Sequence, residues 1–173
     1  QLGTSVALNK AGNILAVGAA FNDIGGNNAG VGRVYVSNNI TWNQLGSNLT
    51  GNTNDRDGYW MDLNDEGNVV STCRYNGEGG GKPNNSGEIR VFVYDNTIND
   101  WVKRGLTIRG DQANDRFGVP HKLSATGLVL AAGGSQSGTN ARIFQYNSTI
   151  NDWEVKVTLP PTTYGQYITM NGN

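Results

Sequence analysis

The sequence has few of the residues from which catalytic and metal sites are usually built. Its 173 residues include one cysteine, Cys73, and one histidine, His121. A single cysteine excludes an internal disulfide and any metal site built on several cysteines. Because Cys73 and His121 belong to different predicted strands, we expect each to be an ordinary strand residue, and we predict no catalytic residue and no enzymatic activity.

Charge and long hydrophobic runs are also scarce. The 13 Lys and Arg residues are scattered singly and nearly balance the 14 acidic residues, which leaves a net charge of -1. Nucleic-acid binding needs a basic patch, so we predict no nucleic-acid partner. The longest apolar run, residues 128–132, is far too short to cross a bilayer, and we predict no membrane insertion.

Glycine is abundant, with 25 residues, and it marks an internal repeat. The repeat is a dipeptide that ends in glycine, and in the first three copies a second glycine follows nine residues later. The dipeptides are Leu2-Gly3, Asp57-Gly58, Phe117-Gly118 and Tyr164-Gly165, and the second glycines are Gly12, Gly67 and Gly127. This spacing predicts repeat units at residues 1–51, 52–110 and 111–160, and the start of another at 161–173.

Each unit has the pattern of four short antiparallel strands. We predict first strands at 4–9, 59–64, 119–124 and 166–171, second strands at 14–19, 69–74 and 128–134, and third strands at 32–38, 88–95 and 141–147. Fourth strands open at Trp42, Trp101 and Trp153. Alternation such as RVYVS is typical of half-buried strands, and four strands per unit predict an all-β fold, a β-propeller of four-stranded blades. A β-sandwich is the main alternative.

Three complete units and one further strand do not close a ring of about four to eight blades. We therefore expect the chain to be a section of a longer propeller, or one whose ring other copies complete. The expected partners are the remaining blades of the same polypeptide or other protein subunits, and also glycans.

The segments NDRFG (114–118), LAVGAA (15–20) and GRVYVSNNITWNQLGSNLTG (32–51) resemble the FG-GAP repeat. FG-GAP repeats build the propeller of integrin α-subunit heads and occur in predicted surface proteins of marine microbes and algae. The resemblance implies an extracellular or cell-surface propeller, with a virion surface as the alternative location. Asp57 stands where the repeat has Phe, and residues 71–74 replace its Gly-Ala run, which weakens the expectation of tight packing in the second unit.

Because some FG-GAP repeats bind calcium, the resemblance raises the question whether this chain has a calcium site. In calcium-binding FG-GAP repeats a closing Asp ends the turn before the second strand, where this chain has Ile14, Val69 and Val129. A hard cation needs several converging oxygens. Only Asp65 and Glu66 are acidic in these turns. We therefore predict no calcium at residues 9–15, 64–70 or 124–130, and no other cofactor.

The recurring aromatic and charged residues favour structural roles. Trp42, Trp101 and Trp153 recur at one phase and are expected to fill the same packing site in each blade, whereas Trp60 is out of phase and is the better candidate for an exposed contact. The tripeptide Asn-Asp-Arg recurs at 54–56 and 114–116, and its Asp and Arg are expected to fix the connections between blades.

Four Asn-x-Ser/Thr sequences are candidate N-glycosylation sites: Asn39, Asn48, Asn84 and Asn147. Asn39 and Asn147 fall in the turn between third and fourth strands of their units, so we expect these two to carry glycans.

The loops between second and third strands vary in length and should share one face of the propeller. Loops grouped on one face of a rigid scaffold are common binding sites. The candidate binding residues are Asn22, Asp23, Asn27, Asn28, Asn76, Glu78, Lys82, Asn84, Gln136 and Asn140. The expected function is a non-catalytic module for adhesion, for assembly of a surface structure or filament, or for glycan or protein binding. The alternative is the propeller part of a secreted carbohydrate-active enzyme whose active site lies outside this segment.

Overall fold

The chain folds into three antiparallel β-sheets, which are blades of a β-propeller. The computed structural model describes residues 2–77, 84–136, 138–160 and 168–169, and within them no helix is long and apolar enough to cross a membrane. Blade 1 contains β1 (Ser5–Leu8), β2 (Ile14–Ala19), β3 (Val31–Ser37), β4 (Trp42–Gln44) and β5 (Leu49–Thr50). Blade 2 contains β6 (Trp60–Leu63), β7 (Val69–Arg74), β8 (Glu88–Asp95), β9 (Asp100–Lys103) and β10 (Ile108–Arg109). Blade 3 contains β11 (Phe117–Leu123), β12 (Val129–Gly134), β13 (Ala141–Asn147) and β14 (Asp152–Leu159).

The first four strands of each blade are neighbours in the sheet in the order in which they follow along the chain. In blades 1 and 2 the place of the fourth strand, beside the third, is shared by two short strands. β4 and β5 both pair with β3, and β9 and β10 both pair with β8. In blade 3 the single long strand β14 takes both places, because it pairs with β13 over the whole length of that strand. The propeller that the repeat predicts is therefore confirmed, while the two-residue strands β5 and β10 were not expected.

The predicted first, second and third strands agree with the structure to within about two residues at each end. The largest difference is in β11, which begins at Phe117 instead of residue 119, because Phe117 pairs with Gly134 at the far end of β12. The fourth predicted first strand, residues 166–171, lies outside the described residues except for 168 and 169.

The turn between first and second strands is closed by a polar side chain in every blade. Asn9 Oδ1 accepts from the Ile14 N–H at 2.8 Å, and Asn64 Oδ1 accepts from the Val69 N–H at 2.9 Å. In blade 3 the hydroxyl of Ser124 takes this role. The second repeat glycines adopt positive φ in these turns, 69° to 75°, which glycine adopts without the steric cost of a Cβ.

Each hydrophobic core lies between two blades. The first strands stand side by side, β1 against β6 and β6 against β11. The core between blades 1 and 2 contains Ala16, Val34, Leu49, Met61, Leu63, Val70, Phe92 and Trp101. The core between blades 2 and 3 contains Val69, Ile89, Val91, Ile108, Phe117, Leu123, Leu130, Ala132, Phe144 and Trp153. The repeat exists because each blade buries its hydrophobic face against the next.

Two of the repeated tryptophans make the same contact with the preceding blade. Trp101 donates its indole N–H to the Leu45 carbonyl at 2.8 Å, and Trp153 donates to the Arg104 carbonyl at 3.0 Å. Each indole covers a glycine, Gly46 or Gly105, where a Cβ would come within 2.6 Å and 2.7 Å of the ring. We call this contact, with the glycine turn that receives it, the tryptophan clamp.

The preceding Asp reinforces the tryptophan clamp. Asp100 accepts from the Ser47 backbone N–H at 2.7 Å, and Asp152 accepts from the Leu106 backbone N–H at 2.8 Å. These bonds tie the start of each fourth strand to the turn of the blade before it. The expectation that the tryptophans fill one repeated packing site is confirmed for Trp101 and Trp153.

The expectation is wrong for Trp42, which is 46% exposed whereas Trp101 is 8% and Trp153 is 9% exposed. Val6 and Leu8 on β1 are also exposed, at 65% and 57%, although residues at their places in blades 2 and 3 are buried. We call this surface, Val6, Leu8 and Trp42, the leading face of blade 1. Its residues are exposed because no blade packs on that side within the part of the chain that the structure describes.

Trp60 also differs from its expected role. It is half-buried, and its indole N–H donates to the His121 carbonyl of β11 at 3.0 Å. Trp60 therefore joins blades 2 and 3 near the first strands, and the expectation of an exposed contact is wrong.

Candidate binding face

The loops between second and third strands and the connections between blades lie on the same face of the propeller. Backbone hydrogen bonds join them: Arg56 donates to the Asn28 carbonyl at 3.0 Å, and Asp57 donates to the Ala29 carbonyl at 2.9 Å. The next pair of blades repeats the pattern, since Arg116 donates to Asn85 at 3.1 Å. Each connection is therefore docked on the loop of the blade before it, and together they form a continuous surface, the binding face.

The repeated Asp of each connection closes its own turn. Asp55 Oδ2 accepts from the Asn52 N–H at 2.7 Å, and Asp115 Oδ2 accepts from the Gln112 N–H at 2.9 Å. The structural role expected for these carboxylates is confirmed, but the ion pair differs. Asp55 pairs with Arg74 at 3.3 Å, not with its sequence neighbour Arg56.

Asp57 lies at the root of the binding face and is fully buried. It forms ion pairs with Arg90 and Arg74 and accepts a short hydrogen bond, 2.5 Å, from the Thr72 hydroxyl. Burial lowers the pKa of Arg90 to about 10, so its guanidinium stays charged at neutral pH. A buried and paired carboxylate therefore occupies the place between blades 1 and 2 where the repeat has Phe.

An open cavity of about 350 Å³ lies on the binding face, between the first connection and the second-blade loop. It is lined by Asn52, Thr53, Asn54, Asp55, Asn76 and Asn85. Asp55 is committed to its turn and to Arg74, so the groups that remain for a ligand are amides and a hydroxyl. We call this the amide cavity. Such a lining provides both donors and acceptors without net charge.

The candidate binding residues divide into those that build the face and those that line it. Asn22 and Asp23 close their own loop, accepting from the backbone N–H groups of Ile24 and Asn28 at 2.9 Å and 2.8 Å. The backbone carbonyls of Asn27 and Asn84 accept from the following connections at 2.8 Å and 3.0 Å.

Asn76 is the candidate residue that lines the amide cavity. Asn140 lines a much smaller pocket of about 20 Å³ in blade 3, and Gln136 is exposed nearby. Glu78 and Lys82 lie outside the described residues. Asn52 and Asn85, which sequence analysis did not select, are brought to the cavity only by the docking of one blade on the next.

The four candidate glycosylation sites differ in accessibility. Asn39 and Asn84 are exposed, whereas Asn147 is half-buried and donates its amide to Glu154 at 2.9 Å. Asn48 accepts from the Arg33 guanidinium at 3.0 Å. Asn39 and Asn147 lie in the same turn, as expected, but one position apart. Asn147 Oδ1 accepts from the Thr149 N–H, and in blade 1 the equivalent acceptor is Asn38 Oδ1, which binds the Ile40 N–H.

Cys73 and His121 are buried strand residues. Burial raises the pKa of the Cys73 thiol, which favours the unreactive protonated form. His121 is fully buried, with Nδ1 at 2.8 Å from the Gly118 carbonyl and Nε2 at 2.8 Å from the Ser71 hydroxyl. Burial lowers the pKa of His121, so the imidazole is neutral.

Sequence analysis missed the Ser71–His121 pair, whose members lie in different blades. It has the chemical identity of a nucleophile and its base, but both side chains are fully buried, and Nδ1 faces a carbonyl instead of an orienting carboxylate. The pair joins blades 2 and 3 and offers no access to a substrate.

Metal ligands are not grouped in the described residues: no three His, Cys, Asp or Glu side chains lie close enough to hold an ion. In the turns considered for calcium, Asp65 pairs with Lys10 of the neighbouring turn at 3.2 Å. The absence of calcium stays a prediction.

Comparison with known proteins supports the fold alone. No family model matches the sequence, and no curated protein sequence matches it. Among solved structures, the chain is similar to a protein of Bacteroides uniformis provisionally assigned as a 6-phosphogluconolactonase, with a TM-score of 0.64 and 13% identity over 96% of this chain and 43% of that one.

Sqt1 of Saccharomyces cerevisiae gives a TM-score of 0.57 and 13% identity over 88% of this chain and 34% of that chain. A second provisionally assigned 6-phosphogluconolactonase, from Bacteroides fragilis, gives 0.56 and 13% over 91% and 39%. All three have propeller-type folds, and this chain spans less than half the length of each. At this identity the likeness defines the class of protein, a β-propeller, and carries no activity with it.

Proposed function

We propose that the chain is a non-catalytic binding module of a β-propeller, located outside the cell or on its surface, and that its amide cavity binds a glycan. The observation that carries the proposal is the lining of that cavity, where four asparagines and a threonine surround about 350 Å³. Amide and hydroxyl groups form hydrogen bonds with the hydroxyls of a sugar and need no compensating charge. The exposed asparagines of two sequons, Asn39 and Asn84, support the extracellular location.

The non-catalytic part of the proposal is supported by the state of the nucleophilic and basic groups. The Cys73 thiol, the Ser71 hydroxyl and the His121 imidazole are all fully buried. General acid–base catalysis needs a group within reach of the substrate. Hydrolysis of a lactone or glycoside that is lost in His121→Gln, with folding retained, would contradict this part.

We further propose that another blade of the same kind covers the leading face of blade 1. The support is the repetition of the tryptophan clamp, which leaves Trp42 without the glycine turn that receives Trp101 and Trp153. Blades 1 and 2 of a second copy cannot supply this turn, since their own neighbours already occupy it. Blade 3 has the continuous strand β14 instead of such a turn. The expected partner is therefore a further blade, in the same polypeptide or in another subunit.

The amide cavity is tested by screening the full chain against immobilised glycans and measuring the affinity for the best ligand by calorimetry. Asn76→Leu places an apolar side chain in the cavity and should weaken binding by about tenfold or more. Asn96→Leu is the matched control, because Asn96 is exposed in a turn between third and fourth strands, on the opposite face. Equal affinity for wild type and Asn76→Leu, or binding to no glycan, would contradict the proposal.

A further inference from the structure

Two arginines from equivalent places in the repeat converge on one tyrosine of the binding face. Arg56 and Arg116 end the two Asn-Asp-Arg tripeptides. The guanidinium carbon of Arg116 lies 4.7 Å from the centre of the Tyr75 ring, and that of Arg56 lies 6.0 Å from it. Tyr59 stacks on Tyr75, with ring centres 4.2 Å apart and planes inclined by 23°. The two connections therefore bring two positive charges to Tyr75, which follows β7 of blade 2 and stacks on Tyr59.

Both arginines are half-buried, and they differ from four other half-buried arginines in having no acidic partner. Arg74, Arg90 and Arg142 each pair with a carboxylate, and so does Arg109. Within residues 2–77, 84–136, 138–160 and 168–169, neither Arg56 nor Arg116 forms an ion pair or a side-chain hydrogen bond. Both Nε atoms are buried without a hydrogen-bond partner, as are those of Arg90 and Arg142, so the missing carboxylate is what distinguishes Arg56 and Arg116.

Such an arrangement is costly unless something compensates it. A buried N–H without an acceptor, or a guanidinium withdrawn from water without an anion, destabilises the folded protein. Contacts with aromatic faces offset part of the cost: Arg56 also lies 5.3 Å from the Phe21 ring. Both arginines also adopt positive φ, 54° and 49°, a conformation in which residues with a Cβ are strained.

We infer that Arg56, Arg116 and the Tyr59–Tyr75 stack form a site for an oxyanion, namely a carboxylate, sulfate or phosphate group. Guanidinium groups bind such oxygens with paired N–H donors, and the stacked rings hold the guanidinium groups in place. The acids next to these arginines in the sequence do not compete. Asp55 and Asp57 are paired with arginines of blade 2, and Asp115 accepts from the backbone N–H groups of Asp111 and Gln112. The inference stands on this charge arrangement and does not depend on the glycan proposal.

The same chemistry has two sources, a free inorganic anion or an acidic group on a sugar, and the experiment separates them. The full chain is melted in sulfate-free and phosphate-free buffer with sodium sulfate, sodium phosphate or sodium glucuronate, each at an ionic strength held constant with sodium chloride. A ligand that binds only the folded state raises the melting temperature in proportion to the logarithm of its concentration once that concentration exceeds its Kd, by about 3–5 °C for each tenfold increase.

Arg116→Gln and Arg56→Gln should each remove most of this rise, and the double variant should remove it entirely. Lys10→Gln is the matched control, since it removes one positive charge from an exposed turn on the opposite face. A rise with glucuronate alone assigns the site to an acidic sugar, and a rise with sulfate or phosphate assigns it to an inorganic or ester oxyanion.

Two results would overturn the inference: no rise with any of the three anions beyond that in sodium chloride alone, or the same rise in wild type and in the double variant. If Arg116→Gln does not fold, Arg116→Lys replaces it, because Lys keeps the charge but lacks the paired donors. The glycan proposal is tested separately by Asn76→Leu, so either proposal can fail without the other.

Discussion

The interface between blades 1 and 2 and the interface between blades 2 and 3 solve the same packing problem with opposite chemistry. The residue before the repeat glycine is Asp57 in the first and Phe117 in the second, and both are fully buried. Each meets an arginine of the third strand, Arg90 or Arg142. Arg90 donates to the Thr50 carbonyl and Arg142 to the Arg109 carbonyl, both in the preceding blade.

The arginine is thus the constant part of the interface, and the residue beside it varies. In one case the buried Asp57 carboxylate neutralises the guanidinium. In the other the Phe117 ring lies 4.1 Å from the guanidinium carbon, and the carboxylate that pairs with the guanidinium, Asp111 at 3.2 Å, is exposed. A guanidinium can bind in both ways because it has N–H donors at its edge and a flat face. The charged solution also needs further polar groups to compensate Asp57, and blade 2 supplies them as Thr72 and Arg74, where blade 3 has Ala132 and Gly134.

The largest effect is expected from breaking the aromatic interface. Phe117→Ala removes a fully buried ring from the core between blades 2 and 3 and should lower the free energy of unfolding by about 3–5 kcal/mol. Urea denaturation of the full chain measures the loss. Phe117→Leu is the control, since it retains most of the volume and should cost much less. A loss below about 1 kcal/mol for Phe117→Ala would show that Arg142, not the ring, dominates this interface.

Breaking the charged interface should have the next largest effect. Asp57→Asn keeps the shape of the side chain but leaves Arg90 without its buried anion and removes one of the three carboxylates that the described residues place around Arg74, at a cost of about 2–4 kcal/mol. Glu66→Gln makes the same chemical change at an exposed turn and should stay within about 0.5 kcal/mol. A sharper test is Asp57→Phe. Asp57→Phe alone should lower the free energy of unfolding more than the triple variant that adds Thr72→Ala and Arg74→Gly, because the triple variant has the set of residues that blade 3 uses. Equal losses in the two variants would refute the linkage.

A third difference between the interfaces is their response to pH. His121 and Met61 each lie three residues after a repeat glycine, and only His121 titrates. Burial lowers the pKa of His121 in the folded state, while the unfolded chain takes up the proton near about pH 6.5. Its contribution to stability is therefore complete above about pH 6.5 and is lost as the pH falls below that value, by at most about 1.4 kcal/mol per pH unit.

The measurement is urea denaturation of wild type and His121→Met between about pH 7.5 and about pH 5.5, the range in which histidine titrates. The variant should show a shallower fall in stability on acidification, whatever its stability at neutral pH. Parallel curves for the two proteins would mean that His121 is protonated equally in the folded and unfolded states.

The sequence predicted the strands and their order because these depend on local patterns that recur. It did not predict β5 and β10, since two residues are too few to show an alternation. Asp57 in place of Phe indicated a loss of packing, because the partners of Asp57, Thr72 and Arg74, are distant in the chain and their contacts with it cannot be read from the sequence. The amide cavity, the Ser71–His121 pair and the convergence of Arg56 and Arg116 on Tyr75 all arise from contacts between blades, which no single repeat unit contains.

The smallest effect is expected at the leading face of blade 1, where the interface is incomplete. Trp42 has the place of Trp101 in the repeat but is 46% exposed, so Trp42→Ala should change the free energy of unfolding by no more than about 0.5 kcal/mol. Trp101→Ala, which removes the indole from Gly46 and Leu45, is the contrasting control and should cost about 3–5 kcal/mol.

The same substitution tests whether the leading face receives a blade. A longer chain can be made in which an added copy of residues 1–57 is followed directly by Gly3 and the rest of the protein. The Leu45–Ser47 turn of the added copy can then receive Trp42 of blade 1. The Trp42 indole should become protected from fluorescence quenching by acrylamide. Trp42→Ala should then become costly in that longer chain. Gly46→Val in the added copy alone should abolish both changes, because a Cβ at Gly46 lies within 2.6 Å of the bound indole in the existing clamp. If Trp42 stays open to the quencher while the added blade is folded, the leading face does not receive a blade through the tryptophan clamp.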